Sequence, residues 1–366
     1  MARVNGAALG PGDVVAFEGG ATFDGELTPS HSGVAGSPVT FTSYGTGRAT
    51  LTGGVWLHDV AHQAVRSLRI VGAAQGILGS RNGSVTDVLI DDVAISDVTV
   101  GVNSASAANA RWTLADSTVA STRDSGVILE GADMTVRDTT ITDTGRGWAT
   151  LSHNLHGIYA KSPRVRVLRT IIGPNHDPEG EGISTRFRDA LIDGNLIHDV
   201  AYAIGYYNDD PAAAHGAGTT TVRRNIAWRI SAGGIYVDPG GNTGRGMPEN
   251  WRIYNNTLLG SGDVAIDLQP RGTHIAIRNN AAGGFGDLLR VQAGPNYVHD
   301  HNLTVPFLAF GPGPGLAALL GPALVDAGTA AIDDGVRLTA SCDGGPVNFC
   351  GMAPDIGAIE LLPAAP

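Results

Sequence analysis

One pattern constrains this chain more than any other: a small residue followed by an aliphatic one returns every 21 to 31 residues. The pairs are Gly76-Ile77, Gly101-Val102, Gly126-Val127, Gly157-Ile158, Gly182-Ile183, Ala203-Ile204, Gly234-Ile235 and Ala265-Ile266. Such self-similarity is typical of a solenoid, in which each repeat is one coil too thin to bury a core alone. The chain is therefore predicted to stack coils, each contributing one pair.

A second apolar segment with a polar end lies between these pairs. Such segments occupy residues 88–92, 134–138, 190–195, 222–225, 253–256 and 275–280, and their aliphatic and β-branched residues predict strands. Asparagine recurs near the end of four of them, at Asn195, Asn225, Asn256 and Asn280. Stacked asparagines can hydrogen-bond to each other and to backbone at a tight corner. We expect this ladder to be structural only.

The composition favours an all-β fold, because the chain has 52 glycines, only 8 phenylalanines and few apolar spacings of helical type. Short strands in coils of this length predict a single-stranded right-handed parallel β-helix that forms one domain over residues 1–366. Residues 1–56 are the opening coil, 57–300 the central coils, and 301–366 a C-terminal cap and closing coil. A β-propeller is disfavoured, since its blade would be longer and would lack the pair period.

The net charge of the chain limits the kinds of binding partner to be expected. A net charge of -11 and a pI near 5.4 argue against a nucleic-acid binder and against a basic membrane-surface protein. No apolar run approaches the roughly 20 residues that span a bilayer. We expect a monomer with neither nucleic acid nor membrane as partner.

Two cysteines bear on the compartment. Cys342 and Cys350 bracket a turn-rich loop, so a disulfide is expected, with free thiols as the alternative. A disulfide implies an oxidising compartment. The protein is therefore expected to be secreted, with its signal peptide absent from this sequence.

Strand alternation predicts which side chains share the outer face. Counting from the small residue of each pair, positions one and three point inward and positions two and four point outward. The fourth-position column contains Glu130, Lys161, Arg186, Tyr207, Asp238 and Gln269. The second-position column contains Ile128, Tyr159, Ser184, Gly205, Tyr236 and Asp267. Since neighbouring coils lie about 4.8 Å apart, Lys161 and Arg186 should stand side by side.

Lys161 is the only lysine in a chain with 23 arginines, and this choice points to base chemistry. Arginine stays protonated at neutral pH, whereas a neighbouring cation can lower the pKa of a lysine enough for it to accept a proton. Arg186 on the next coil is such a neighbour. The tyrosines of the outer face offer flat surfaces for sugar rings. We predict a carbohydrate site here.

The fold and the residues Lys161-Ser162 and Arg186 together resemble the pectate-lyase-like superfamily and, within it, polysaccharide lyase family six. This resemblance implies that Lys161 removes the proton next to a uronate carboxyl and that Arg186 assists the leaving oxygen. The predicted substrate-binding residues are His156, Tyr159, Arg188, Tyr207, Tyr236, Asp238, Asp267 and Glu130. The implied substrate is a uronate-containing, anionic polysaccharide.

The chain departs from the family near its calcium site. Phe187-Arg188 replaces the His-Gly that commonly follows the arginine, and His153-Asn154-Leu155-His156 replaces the calcium-binding carboxylates. Asp177, Glu179 and Glu181 offer oxygen ligands for a cation, but an acidic loop is more often simply solvated. No metal ligand and no certain cofactor is assigned, and Ca²⁺ stays an open alternative.

Three other functions stay open. A glycoside hydrolase could use carboxylates on the same face, with Asp238 and Asp267 about 8 Å apart and with Asp209 nearby. A carbohydrate-binding or structural β-helix would bind sugar and release no product. A uronan epimerase would use the same proton abstraction, but the chain lacks the Asp-Pro-His run usual in such enzymes.

Overall fold

The computed structural model describes residues 1–151, 153–161, 163–186, 189–207, 218–238, 250–268, 273–291 and 296–304. The chain divides into two compact units, Met1–Phe187 and Arg188–Pro366, and each is described by itself. The prediction of a single domain stays a prediction. The C-terminal cap beyond residue 304, and with it Cys342 and Cys350, lies outside the described residues.

The first unit begins with a short helix, α1 (Ala2–Asn5), and continues in twenty described strands. They are β1 (Val14–Glu18), β2 (Thr22–Phe23), β3 (Val39–Tyr44), β4 (Ala49–Leu51), β5 (Val55–Leu57), β6 (Ala61–Arg66), β7 (Leu68–Val71), β8 (Gln75–Gly79), β9 (Thr86–Asp91), β10 (Ala94–Ser96), β11 (Val100–Asn103), β12 (Ala110–Ala115), β13 (Thr118–Ala120), β14 (Val127–Glu130), β15 (Thr135–Arg137), β16 (Thr140–Thr142), β17 (Ile158–Lys161), β18 (Arg166–Leu168), β19 (Ile171–Ile172) and β20 (Glu181–Thr185).

Parallel pairing arranges these strands in three columns. Column A is β1, β3, β6, β9, β12, β15 and β18. Column B is β2, β4, β7, β10, β13, β16 and β19. Column C is β5, β8, β11, β14, β17 and β20. The first coil has strands only in columns A and B, and from β3 onward the chain visits the three columns in turn, so each further coil adds one strand to each column.

The second unit repeats this arrangement in twelve described strands. They are β21 (Leu191–Asp193), β22 (Leu196–Tyr207), β23 (Thr220–Arg223), β24 (Ile226–Asp238), β25 (Trp251–Tyr254), β26 (Thr257–Gly260), β27 (Val264–Leu268), β28 (Ala276–Arg278), β29 (Ala281–Gly283), β30 (Asp287–Val291), β31 (Val298–Asp300) and β32 (Leu303–Thr304). The long strands β22 and β24 pair with each other, and β24 then pairs with both β26 and β27. No helix in the described part of the chain is long and apolar enough to cross a membrane.

The small–aliphatic pairs are stacked one per coil, as the sequence predicts, and in the first unit they lie on column C. In the first unit their aliphatic members form one ladder of aligned, buried side chains, comprising Ile77, Val102, Val127, Ile158 and Ile183. In the second unit Ile204, Ile235 and Ile266 do the same. The predicted coil register is therefore confirmed at these positions.

Packing between columns explains the small residue of each pair. A Cβ atom built on Gly101 would lie 2.3 Å from a methyl group of Val119, and one on Gly126 would lie 2.5 Å from a methyl group of Ile141. Both partners are on column B. Its β-branched side chains fill the space beside column C, so a larger residue there would overpack the interior.

The predicted asparagine ladder is present in the second unit and extends one coil further, to Asn302. The Oδ1 atom of Asn225 accepts hydrogen bonds from both the backbone and the side-chain nitrogen of Asn195. The same pair of bonds links Asn225 to Asn256, Asn256 to Asn280 and Asn280 to Asn302. The ladder thereby supplies partners to buried polar groups at this corner of every coil, as buried polar groups require.

Candidate functional site

The first candidate site lies on the outer face of column C in the first unit. Glu130 on β14 stands opposite Lys161 on β17, and Tyr159 on β17 stands opposite Ser184 on β20. Arg186 follows β20 directly, and its backbone N–H donates to the carbonyl of Ala160. The structure therefore places the predicted lysine and arginine on adjacent coils.

Two cations lie against one aromatic ring. The Nζ atom of Lys161 is 5.1 Å from the centroid of the Tyr159 ring, and the Cζ atom of Arg186 is 4.8 Å from it. Both distances are within the range of a cation–π interaction. Lys161 and Arg186 therefore both lie against the Tyr159 ring, and these three residues form what we call the Tyr159 surface.

The two cations differ in accessibility. The side chain of Lys161 is 38% exposed, whereas Arg186 as a residue is only 8% exposed. The Nη1 atom of Arg186 donates hydrogen bonds to the hydroxyl of Ser184 at 2.7 Å and to the carbonyl of Thr185 at 3.2 Å. Arg186 was expected on the open exterior. It lies instead in a covered and fixed position, because Ser184 and Tyr159 hold its guanidinium.

Glu130 faces the lysine. Its Oε1 atom is 3.8 Å from the Nζ atom of Lys161, and both side chains are partly exposed. Opposite charges at this distance attract, although an exposed pair of this kind is worth no more than about 1 kcal/mol. The carboxylate is thus a counter-charge for the candidate base.

A buried His–Glu pair lies behind Tyr159. His156 is 3% exposed and Glu181 is 1% exposed, and the Nδ1 atom of His156 is 3.0 Å from Oε2 of Glu181. The backbone N–H of Glu181 also donates to this Nδ1 atom, at 3.3 Å. Burial, together with the smaller effects of the charges on Arg186 and His153, lowers the pKa of His156 to about 3. The imidazole is therefore neutral at neutral pH.

His156 was predicted to contact substrate, and the structure places it in the interior instead. The centroid of its ring is 5.2 Å from that of Tyr159, so it packs against the back of the candidate site. Its backbone N–H donates to the hydroxyl of Ser125 one coil away. His156 supports the tyrosine and does not form part of the exposed surface.

Two carboxylates of the acidic segment between the two coils, those of Asp177 and Glu181, have internal contacts. Asp177 accepts the backbone N–H of Leu155 at 2.7 Å and that of Glu179 at 2.9 Å. Glu181 is engaged with His156. Among the described residues, no three His, Cys, Asp or Glu side chains are grouped so that they could hold a metal ion. Asp177 thus stabilises the loop and Glu181 lies against His156, whereas Glu179 is exposed.

A second cluster lies on the outer face of the second unit. The ring centroids of Tyr202 and Tyr236 are 5.5 Å apart, and those of Tyr207 and Tyr236 are 5.8 Å apart. Beside them Asp267, 7% exposed, accepts a hydrogen bond at 3.3 Å from Arg290. Tyr207, Tyr236 and Asp267 thus occupy the face on which the sequence predicts them, but in a separate unit from Lys161.

The hydrolase residues are only partly described. Tyr207 stands opposite Asp238, and Tyr236 stands opposite Asp267, which gives the two aspartates the predicted offset of two residues on adjacent strands. The side chain of Asp238 lies outside the described part, as do Arg188 and Asp209.

Sequence reasoning missed Arg290 and Tyr202. Arg290 on β30 stands opposite Asp267 and therefore extends the second-position column by one coil. The pattern of a small residue followed by an aliphatic one fails at this coil, because Leu288 occupies the position of the small residue. Tyr202 stands opposite Gly233, just after a register shift within β22. A search for outward residues opposite Asp267, without the requirement for a small residue, would have found Arg290.

Strands that pair in parallel from coil to coil, with polar side chains collected on one column, define a protein of the parallel β-helix class. Residues 75–281 match the family model described as right handed beta helix region, and the chain belongs to this family. The expected hand and fold class are thereby confirmed.

Solved structures share the fold at low sequence identity. The family-six polysaccharide lyase from Pseudopedobacter saltans is 12% identical with a TM-score of 0.54, and the match covers 85% of this chain and 91% of that one. The catalytic domain of a family-87 α-1,3-glucanase, solved with tetrasaccharides, is 10% identical with a TM-score of 0.57, covering 82% and 62%. Pectate lyase Pel9A is 16% identical with a TM-score of 0.47, covering 96% and 89%. No curated protein matches the chain. The matches to the family-six lyase and to the glucanase support the parallel β-helix fold.

Proposed function

We propose that the protein is a polysaccharide lyase that cleaves a uronate-containing polysaccharide by β-elimination at the Tyr159 surface. One observation carries this proposal: the sole lysine and a covered arginine lie within about 5 Å of the same tyrosine ring. The lyase and glucanase folds described above are compatible with either lysis or hydrolysis. The choice between them rests on these residues.

The chemistry assigns different tasks to the two cations. Lys161 is exposed enough to reach a sugar and, in its amine form, takes the proton next to the uronate carboxyl. Arg186 remains charged and is held by Ser184, so it can stabilise negative charge that develops on the substrate. Electrons from the broken C–H bond form the new double bond as the glycosidic oxygen departs, and that oxygen takes up a proton from the ammonium group formed on Lys161 or from water.

Glu130→Gln tests how much the contact between Glu130 and Lys161 matters to the reaction. The two side chains are partly exposed and their charged atoms are 3.8 Å apart. Such a pair is worth no more than about 1 kcal/mol, so the substitution is expected to change kcat/KM at neutral pH by no more than about fivefold. Initial rates of the variant and of the unmodified protein on the same polyuronate check this result. A loss as large as that expected for Lys161→Arg would contradict the role of Glu130 as a counter-charge only.

The reaction class is tested with a panel of polyuronates and neutral glycans. β-Elimination produces both new reducing ends and an unsaturated product that absorbs ultraviolet light. New reducing ends without this absorbance would indicate a hydrolase that uses carboxylates such as Asp267. Binding without either product would indicate a carbohydrate-binding β-helix.

An extracellular location, expected from Cys342 and Cys350, is part of the proposal and is tested by localisation of the expressed gene product.

A further inference from the structure

We infer that the second unit contains a separate binding site for one neutral sugar ring. The site is a cavity of about 240 Å³ on the outer face of strands β24, β27 and β30. Its volume is below the roughly 300 Å³ at which pockets for drug-sized ligands begin, and it suits a single small ring. This inference concerns binding and does not depend on the lyase chemistry proposed for Lys161.

Aromatic rings form the apolar wall. Tyr202 and Tyr236 both line the cavity, and Tyr207 extends the aromatic surface beyond it. A Cβ atom on Gly233 would lie only 3.0 Å from Cδ1 of Tyr202, so the absence of a side chain at Gly233 allows the tyrosine ring to approach the strand. Such rings give a sugar an apolar face with polar edges.

The opposite side of the cavity is polar. Arg290 lies between two carboxylates, with its Nη1 atom 3.3 Å from Asp267 and its Nη2 atom 2.5 Å from Asp263. Carboxylate oxygens accept hydrogen bonds and guanidinium N–H groups donate them. Sugar hydroxyls do both, so an ion pair at the edge of an aromatic wall matches their chemistry.

The charge of the lining selects the kind of sugar. Among the described residues, the charged side chains that line the cavity are Asp263, Asp267 and Arg290, and Asp287 also acts on Arg290. In this part of the lining, carboxylates therefore outnumber guanidinium groups. A uronate would meet like charges, which disfavour binding. This distinguishes the cavity from the Tyr159 surface, where Lys161 and Arg186 collect positive charge.

The test uses calorimetry with neutral hexasaccharides of glucose and of xylose, compared with hexasaccharides of uronic acid and of glucosamine. We expect a neutral hexasaccharide to bind, and Tyr236→Ala to weaken that binding by about tenfold. Gly233→Ala should weaken it as well, because the added methyl group displaces the Tyr202 ring. Tyr44→Ala is the matched control: Tyr44 is 55% exposed in the first unit, and its loss should change nothing.

Two further readouts keep this inference separate from the proposed lyase. Lys161→Arg should bind the neutral hexasaccharide as the unmodified protein does, even if its lyase activity is lost. Circular dichroism and thermal melts should show that the pocket variants remain folded. Failure of every neutral probe to bind, binding unchanged by both Tyr236→Ala and Gly233→Ala, or tighter binding of the uronate or glucosamine probe at these residues would overturn the inference.

Discussion

Lys161→Arg is expected to abolish formation of the unsaturated product, with a loss of at least about 10²-fold in kcat. Arginine keeps the positive charge and can still lie near the Tyr159 ring, but it does not give up its proton at neutral pH. The substitution therefore removes base chemistry while it preserves charge. Initial rates on the polyuronate that the unmodified protein cleaves best provide the measurement.

Arg166→Ala is the matched control for this variant. Arg166 is exposed on column A of the same unit, away from the column that carries Lys161, so its loss should leave the rate unchanged. Unaltered melting of both variants establishes that the coils are intact. Full retention of lyase activity by Lys161→Arg would exclude Lys161 as the base.

Asn256→Ala is expected to lower the free energy of unfolding by about 3 kcal/mol. Asn256 is fully buried. Its Oδ1 atom accepts from the backbone N–H and the side chain of Asn225, and its Nδ2 atom donates to Asn280 and to the carbonyl of Val222. Alanine would leave several of these groups in the interior without a partner. Urea denaturation followed by circular dichroism measures the loss.

The control for the ladder is Asn82→Ala. Asn82 is exposed and outside the ladder, so its replacement should change stability by no more than about 0.5 kcal/mol. An Asn256→Ala variant as stable as the Asn82→Ala variant would show that the stacked amides contribute little. Comparison of the two variants therefore measures the contribution of the ladder to stability and not the effect of replacing any asparagine.

The sequence predicted the coil register because that register depends on local periodicities. Alternation of side chains in a strand is strict, and the small residue of each pair is needed where column B approaches column C, as Gly126 shows against Ile141. The side-by-side placement of Lys161 and Arg186 followed from the same counting. The same counting did not predict Arg290, because Leu288 stands where the small residue of the pattern would be.

Burial at the site was not predictable in this way. Arg186 stands at an outward position of the pattern, yet it is covered, and His156, which was predicted to contact substrate, lies in the interior. Their environment depends on Glu181, Ser184 and Tyr159, which come from other parts of the coil or from the next coil. No local period records how far a side chain is covered by such neighbours.

By itself, the sequence determined the class of fold, the order of the coils and most of the outward residues, Arg290 being an exception. These properties follow from short-range repetition, which is visible directly in the sequence. Only the tertiary structure decided which side chains are covered, that Glu181 pairs with His156, and that Arg290 joins Asp263 and Asp267 beside the tyrosines. The physical reason is that burial and charge pairing depend on distances between side chains that lie far apart along the chain.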